Sequence, residues 1–509
     1  MTTLELDGKS LTLEQIEDVA YGKKTVSLSK DARLKVKQCR KIVEELTKNP
    51  TPIYGLNTGF GSLSQIKIKP EQTKELQLNL IRSHATGIGE LLCPEQTRAI
   101  MLLRANVLAA GHSGVREEII DLILACLNQN ILPLIPQKGS VGASGDLAPL
   151  AHLALLLIGE GDCFFQGKKI SSAQALSATK LSPVTLESKE GLALINGTQV
   201  MTGIGALILL RSERLVRMAD IAGALTIEAT RGSFHPFDPK IDSVRPFHGS
   251  RECASFLRKL GEDSEINKSH EGCLRIQDPY SLRCIPQVHG SVRDALTFIR
   301  QQFSIEINSV TDNPIVFVQE KEILSGGNFH GQPIAMALDF LGIAISELAS
   351  ISERRIEKLM IPQFSQLPPF LTQQSGLHSG FSMVQVSAAS LVSENKVLTH
   401  PASVDSIPTW GDKEDHVSMG VTAANKALKI LENVEYVIAM ELLCAAQGID
   451  LLTPLKPGNA LQVVIQEIRH AIPFLKDDRP LSHDIEILKN MVQRGIFLRV
   501  VEKELGSPS

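Results

Sequence analysis

Residues 333–359, "PIAMALDFLGIAISELASISERRIEKL", decide the fold class, because apolar residues recur every three to four positions along the whole stretch. That period places the apolar side chains on one face of a helix. Three further stretches share it, at residues 71–84, 97–111 and 423–446. We therefore predict a mainly α protein built from long, packed helices.

Strand signals are short and peripheral in the same sequence. Residues 4–13, 163–170 and 313–318 combine β-branched or aromatic residues with adjacent turn signals, which is typical of short strands. No repeat of fixed period is found, which argues against a solenoid. Glycine and proline cluster between the helical stretches, and loops of this kind often carry functional residues.

Composition indicates an ordinary globular protein. The 509 residues are 43% hydrophobic and 21% charged, enough to bury a large core. The net charge is -4 and no basic block occurs, so a small, roughly neutral partner is favoured over nucleic acid or a membrane surface. The apolar run at 147–158 is too short to cross a bilayer, and residues 1–15 lack the pattern of a secretory leader. We expect a cytoplasmic protein.

The cysteines are scattered and form neither a C-x-x-C pair nor a cluster with histidine at metal-ligand spacing. This distribution favours reduced thiols over a disulfide framework or a zinc site. The eight are Cys39, Cys93, Cys126, Cys163, Cys253, Cys273, Cys284 and Cys444.

Residues 139–152, "GSVGASGDLAPLAH", form a glycine-rich loop that runs directly into an apolar helix. Gly145 has no Cβ, so its backbone nitrogen can approach the carbonyl carbon of Ala143, and the Ser144 hydroxyl can leave as water. Closure with loss of two waters gives a five-membered ring with an exposed methylidene, an electrophile that no encoded side chain supplies. Taken alone, the same residues are also typical of a tight turn in which Asp146 caps the next helix.

The run "GSVGASGDLAPLAHLAL" resembles the signature of the aromatic amino acid ammonia-lyase and aminomutase family. Further matches to the family follow in order: "YGLNTGFG" (54–61), "NLIRSHATGIGE" (79–90), "KEGLALINGTQ" (189–199), "QDPYSLRCIPQVHG" (277–290), "TDNPIVF" (311–317), "SGGNFHGQPIA" (325–335), "LVSENKVLTHPASVDSIPT" (391–409) and "EDHVSMG" (414–420). The resemblance implies that Ala143, Ser144 and Gly145 cyclise autocatalytically to 4-methylidene-imidazol-5-one, with no external cofactor and no metal.

The same resemblance implies an architecture. Residues 1–200 are expected to form an N-terminal globular part that carries the Ala-Ser-Gly loop. Residues 201–509 are expected to form a long helical bundle with substrate-binding and lid loops, as in the fumarase and aspartase superfamily. Family members are homotetramers whose sites draw residues from three subunits, so we expect the same here.

The resemblance also assigns site residues. Tyr54 is expected to abstract the substrate's β-proton, which requires a site that favours phenolate over the ordinary pKa near about 10. Tyr280 would assist proton transfer or orient the adduct. Arg283 lies three residues later, on the same face of a helical turn, and its guanidinium suits a carboxylate. Asn196, Gln277 and Phe329 match residues near the ring and the substrate.

Two positions suggest the substrate. His84 lies where this family reads the substrate ring, and Glu414 matches a glutamate of the branch that converts L-histidine to urocanate and ammonia. A carboxylate accepts an imidazole N–H and is a poor neighbour for a phenyl ring. One stretch departs from that branch: residues 409–416 read "TWGDKEDH", with Trp410 the single tryptophan of the chain.

Three alternatives stay open at this point. A histidine 2,3-aminomutase would use the same ring and return the amine to the β-carbon, and a tyrosine ammonia-lyase would use it on another side chain. An inactive relative serving a structural role would be expected to lack Tyr54 or the Ala-Ser-Gly triplet, and both are present.

Overall fold

Helices account for most of the chain in the computed structural model, which describes residues 2–48, 52–272 and 275–506. The predicted mainly α class is therefore confirmed. The chain forms two compact units. The first comprises residues 1–207, 300–339 and 401–425, and the second comprises residues 208–299, 340–400 and 426–509. The division predicted near residue 200 lies close to the first of these boundaries, after which the chain returns to the first unit twice.

The long helices occur where the apolar period predicts them. Residues 333–359 lie within Gln332–Met360, and residues 423–446 lie within Gly420–Asp450. Together with Gln199–Ala229 and Ile285–Glu306, these helices contain four of the five boundaries between the units, and the fifth, at 400/401, follows the helix Ser382–Leu398.

The first unit surrounds the glycine-rich loop with helices and short strands. Its remaining α-helices are Leu13–Ala20, Lys30–Thr47, Thr73–His84, Pro94–Ala109, Glu117–Asn128, Leu147–Leu157, Ser172–Ala178 and Glu190–Ile195. Short 3-10 helices occupy Gly61–Leu63 and Pro70–Gln72. One core cluster joins the helix Lys30–Thr47 to a strand and a loop through Cys39, Ile42, Val43, Leu56 and Val316.

Four small sheets complete this unit. Thr2–Leu6 pairs in parallel with Lys24–Leu28, with Leu4 opposite Val26, and Ile88–Leu91 pairs antiparallel with Pro136–Lys138. Leu132–Pro133, Asp162–Phe165 and Lys168–Ser171 form a three-stranded antiparallel sheet, and Ile315–Phe317 pairs antiparallel with Glu322–Leu324. The predicted strands at 163–170 and 313–318 therefore exist, the former as a hairpin.

The predicted strand at 4–13 is wrong beyond Leu6. The Asp7 carboxylate accepts the backbone N–H groups of Lys9 and Ser10, each at 2.9 Å, and this turn ends the strand. Thr12 then begins the helix Leu13–Ala20 with a capping box, in which the Gln15 N–H donates to the Thr12 hydroxyl at 3.2 Å. Local side-chain capping overrides the apolar alternation here.

The second unit is helical in all its regular described elements. Besides parts of the four long helices it contains the α-helices Pro239–Val244, His248–Leu260, Glu265–Lys268, Tyr280–Arg283, Pro362–Ser365, Ser382–Leu398, Asn459–Ala471, Ser482–Gln493 and Ile496–Glu504, and the 3-10 helices His235–Phe237 and Pro369–Leu371. A fully buried ion pair joins Arg355 to Glu441, with Nη2 to Oε2 at 2.8 Å, and Ser352 and Thr226 also donate to that carboxylate. The extra donors satisfy the carboxylate, as a buried ion pair requires.

The cysteines of the described segments are free thiols, and five of these seven are buried. Cys273 lies outside the described residues. Among the described helices, Gln332–Met360 alone is long and apolar enough to cross a membrane. The core helix of a globular protein can be equally long and apolar, and 56% of the apolar window within Gln332–Met360 is buried. A cytoplasmic location stays a prediction.

Candidate active site

The glycine-rich loop, residues 139–146, is held in a conformation that only glycine permits at its end. Ser144 and Gly145 both have left-handed backbone, with φ of 50° and 76°. The Asp146 N–H donates to the Gly197 carbonyl at 2.7 Å, and the Gly197 N–H donates to the Ser144 carbonyl at 3.3 Å. A Cβ at position 145 would collide with the Gly197 backbone. The loop therefore packs backbone against backbone, which explains the small residues.

Asp146 ties this loop to a distant helix. Its buried carboxylate accepts the backbone N–H groups of Val200 and Met201, each at 2.9 Å, at the first turn of Gln199–Ala229. The alternative in which the Asp146 side chain caps the helix directly after it is not observed, because no side-chain capping bond forms there. Burial raises the pKa of Asp146 to about 7 against the lowering effect of these hydrogen bonds.

Asn196 is buried beside the loop, next to Gly197. Its Nδ2 donates to the Asn313 backbone carbonyl at 3.0 Å, and the backbone carbonyl of Asn196 accepts a hydrogen bond from Arg104 Nη1 at 2.9 Å. Arg104 is completely buried, and this burial lowers its pKa to about 10. The Asn196 Oδ1 is buried and has no partner among the described residues, so it is available as an acceptor for a ligand.

Tyr54 is half-buried, near enough to Glu414 for the carboxylate to affect its pKa. Its hydroxyl accepts the Gly61 N–H at 3.4 Å, and its ring meets Phe60 edge-to-face with centroids 6.2 Å apart. Burial raises the pKa of Tyr54, and the charge of Glu414 raises it further, against the lowering effect of the Gly61 N–H. The protein alone therefore holds Tyr54 as a neutral phenol.

His84 ends the helix Thr73–His84, and its protonation follows from its partners. Nδ1 lies 2.8 Å from the Leu80 carbonyl, and because a carbonyl oxygen only accepts, Nδ1 carries the proton. Burial lowers the pKa of His84, which keeps the ring neutral and leaves Nε2 as an acceptor. The ring stacks on Trp410, with centroids 5.6 Å apart and an angle of 23° between the planes.

Glu414 connects the glycine-rich loop to Thr409 through hydrogen bonds accepted by its two carboxylate oxygens. Its Oε1 accepts the Ser144 hydroxyl at 3.3 Å, and its Oε2 accepts the Thr409 hydroxyl at 2.6 Å. The structure thus brings together two positions that are 270 residues apart in the sequence. A cavity of about 490 Å³ opens here, and its lining includes His84, Ala143, Gly145, Thr409, Trp410 and Glu414. This size suits a small-molecule ligand.

Phe329 belongs to the same unit, on the loop before the helix Gln332–Met360, and is half-buried. The next residue, His330, stacks on His416 with centroids 5.9 Å apart, and its Nε2 donates to the His416 carbonyl at 3.1 Å. The Phe329 loop therefore contacts the segment that carries Glu414.

The remaining three predicted residues lie in the second unit. Tyr280 and Arg283 share a helical turn as expected, with the guanidinium 4.7 Å from the centre of the Tyr280 ring. Arg283 Nε donates to the Asp278 carbonyl at 3.0 Å. The Tyr280 side chain is 72% exposed and Gln277 is exposed too. Gln277 and Arg283 line a cavity of about 750 Å³ within this unit.

Sequence reasoning missed two features. The helix-capping role of Asp146 has no local signal, because its partners lie 54 and 55 residues away. In the second unit, Asp220, Cys253 and His289 place their ligand atoms within 4.8 Å of one another although they are scattered in the sequence. Asp220 is also paired with the Arg293 guanidinium, so a cation already neutralises this buried carboxylate.

Comparisons with known proteins agree with these observations. A model of the family "aromatic amino acid lyase" matches residues 11–470. The histidine ammonia-lyase of Myxococcus xanthus is 49% identical over 496 residues, which are 97% of this chain and 98% of that protein. The crystal structure of histidine ammonia-lyase from Trypanosoma cruzi has a TM-score of 0.92 and 42% identity, covering 100% of this chain and 96% of that one. The tyrosine aminomutase of Streptomyces globisporus has a TM-score of 0.93 and 40% identity, with 99% of each chain covered.

The family match spans most of the chain, and a full-length relative is about half identical. The resemblance inferred from the motifs is thereby confirmed, together with the assignment to the carbon-nitrogen lyases. This chain belongs to the aromatic amino acid lyase family.

Proposed function

We propose that this protein is a histidine ammonia-lyase, which converts L-histidine to trans-urocanate and ammonia. One observation carries the proposal: Glu414 and the neutral His84 line the same cavity, and Ala143 and Gly145 of the triplet line it too. The full-length relatives named histidine ammonia-lyase support the same substrate.

We further propose that the triplet forms the 4-methylidene-imidazol-5-one group. The residues fit this group: Ala143 and Ser144 lie in a turn, Ser144 and Gly145 have left-handed backbone, and there is no room for a Cβ at position 145. The group would supply an electrophile that captures the substrate amine and makes it a better leaving group. Asp146 and Gly197 would hold the triplet in place through their backbone and side-chain hydrogen bonds.

Substrate recognition follows from two acceptors. Glu414 carries a carboxylate and His84 an acceptor Nε2: a protonated imidazole can donate to both, and a neutral imidazole can donate its single N–H to one of them. A phenyl ring offers neither acceptor a donor, so binding it would bury unpaired polar atoms. Once the Ser144 hydroxyl has left as water, Glu414 Oε1 also loses that donor and is free for the substrate.

Proton abstraction is assigned to Tyr54. Because burial and Glu414 keep the phenol protonated, a positive charge must reach the site before phenolate is favoured. The α-ammonium of the substrate carries such a charge. Asn196, with its unpartnered Oδ1, is proposed to accept a hydrogen bond near the ring, and Phe329 to pack against it.

A homotetramer with shared sites is part of the proposal. Arg283 would bind the substrate carboxylate bidentately, and Tyr280 and Gln277 would contact the substrate from another subunit. The strong exposure of this segment, 96% at Ile276 and 72% at Tyr280, supports its use as a contact surface between copies. Co-expression of Tyr54→Phe and Tyr280→Phe chains tests the sharing. Partial recovery of activity is expected, and complete inactivity of the mixed protein argues against shared sites.

A histidine 2,3-aminomutase is the second candidate, because a tyrosine aminomutase shares this fold at 40% identity. One incubation separates the two functions. The purified protein is mixed with L-histidine, urocanate is followed by its absorbance, and the mixture is assayed for β-histidine. Urocanate without β-histidine is expected. Abundant β-histidine with little urocanate would overturn the lyase assignment, and activity on L-tyrosine alone would overturn both histidine functions.

A further inference from the structure

The segment that departs from the histidine branch forms a defined turn at the cavity. Residues 410–413 make a four-residue turn, and the bridge between Thr409 and Glu414 closes it. The Thr409 N–H donates to the Glu414 carbonyl at 3.0 Å, and the Glu414 N–H donates back to Thr409 at 3.3 Å. Trp410 has φ of 51°, a left-handed conformation that is rare for a bulky residue. Surrounding contacts must therefore hold it in place.

Two residues contact the indole ring. One side stacks on His84 at 5.6 Å between the ring centres. Gly61 lies against the indole as well, since a Cβ at position 61 would come within 2.6 Å of the indole Cε3. Trp410 thus fills the space that a side chain at position 61 would take.

The same turn connects three parts of the proposed site. Its closing residue, Glu414, contacts Ser144, and the glycine under the indole donates its N–H to the Tyr54 hydroxyl. The indole itself lines the cavity together with His84. Trp410 is therefore positioned to affect how the substrate ring is held, without belonging to the acid-base groups.

We propose that Trp410 is a specificity-determining residue: its indole and the His84 ring form one aromatic wall of the cavity. The stack holds in place the His84 ring, whose Nδ1–H bond to Leu80 leaves Nε2 as the acceptor for an imidazole N–H. This proposal rests on the proposed function and deepens it. It also gives a physical role to the stretch in which the sequence departs from the histidine branch. Stacked aromatic pairs restrict ring orientation, and Phe in place of Trp retains part of that effect.

The chain offers a direct probe, because Trp410 is its single tryptophan. Wild-type protein is titrated with 3-(imidazol-4-yl)propanoate, which has the imidazole and carboxylate of the substrate but no amine to eliminate. We expect a saturable change in tryptophan fluorescence whose midpoint equals the inhibition constant of the same compound. Inhibition without any change in fluorescence would overturn the proposal, and this measurement needs no variant to fold.

Variants give the second readout. Trp410→Ala is expected to raise KM for L-histidine about threefold to tenfold with a smaller effect on kcat, from the size of an aromatic stack. Trp410→Phe is expected to stay within about twofold of wild type, since it keeps an aromatic face. Lys413→Ala, exposed in the same turn, is the matched control and should leave KM unchanged. An unchanged KM in Trp410→Ala would contradict the assigned role.

Failure of the two proposals can be told apart. Wild-type activity on L-histidine tests the proposed function alone. If the wild type instead deaminates L-tyrosine or L-phenylalanine, the proposed function fails. The proposal that Trp410 holds His84 in place for an imidazole is then overturned as well. If L-histidine is the substrate, the KM ratio of Trp410→Ala to wild type decides the role of Trp410.

Discussion

Asp146 provides the sharpest test of how the fold holds the site. Its carboxylate accepts two backbone N–H groups, from Val200 and Met201, and is fully buried. Asp146→Ala leaves both donors buried without an acceptor, at a cost of about 1–3 kcal/mol each, or about 2–6 kcal/mol together. Asp146→Asn keeps an amide oxygen in place and loses only the charge at a helix N-terminus, so we expect it to lower the free energy of local unfolding by at most about 1 kcal/mol.

Amide hydrogen exchange followed by mass spectrometry measures this locally. In Asp146→Ala, the amides of Val200 and Met201 should exchange at least about thirtyfold faster than in wild type, since 1.4 kcal/mol corresponds to about tenfold. Asp146→Asn should stay within about fivefold on the same scale. Peptides from the helix Ser482–Gln493, in the other unit, serve as the internal control. Wild-type exchange rates at these two amides in Asp146→Ala would refute the reasoning.

Three further predictions follow from the site. Glu414→Gln replaces a charged acceptor with a neutral amide and should raise KM for L-histidine by about tenfold to hundredfold. Activity on L-phenylalanine should rise relative to activity on L-histidine. Steady-state kinetics on both substrates measure this, and an unchanged ratio of the two activities contradicts the role assigned to Glu414. Gly145→Ala forces a Cβ into the Gly197 backbone and should yield protein without lyase activity. The control is Gly167→Ala, which has a similar φ of 75° but open space around the new Cβ, and it should keep lyase activity. Because burial raises the pKa of Tyr54 and the phenolate is the base, kcat/KM should increase as the pH rises through the neutral range, where the substrate keeps its α-ammonium; a profile that falls over that range excludes Tyr54 as the base.

The long helices were predictable because their apolar period persists over many turns. Residues 333–359 carry enough repeats to outweigh local exceptions, and the helix Gln332–Met360 matches them at both ends. The strand predicted at 4–13 failed for the opposite reason. A single aspartate and a single threonine, Asp7 and Thr12, redirect the backbone through hydrogen bonds that apolar alternation does not encode.

The candidate site was predictable only as a set of motifs. The motifs identified the residues, yet no spacing rule predicts that Glu414 contacts Ser144 or that Trp410 stacks on His84. These contacts join segments hundreds of residues apart, and they depend on how the chain packs. The Asp146 carboxylate shows the same limit, because its sequence position suggested the adjacent helix while packing gave it a different one.

The central claim is that Ala143, Ser144 and Gly145 become an electrophile, and the mass of that segment tests it most directly. Digestion with trypsin releases the peptide between Lys138 and Lys168, which contains all three residues. In wild type we predict a peptide lighter than its encoded mass by two water molecules, and in Ser144→Ala a peptide of the encoded mass. A wild-type peptide of full encoded mass, from protein that deaminates L-histidine, would contradict the account.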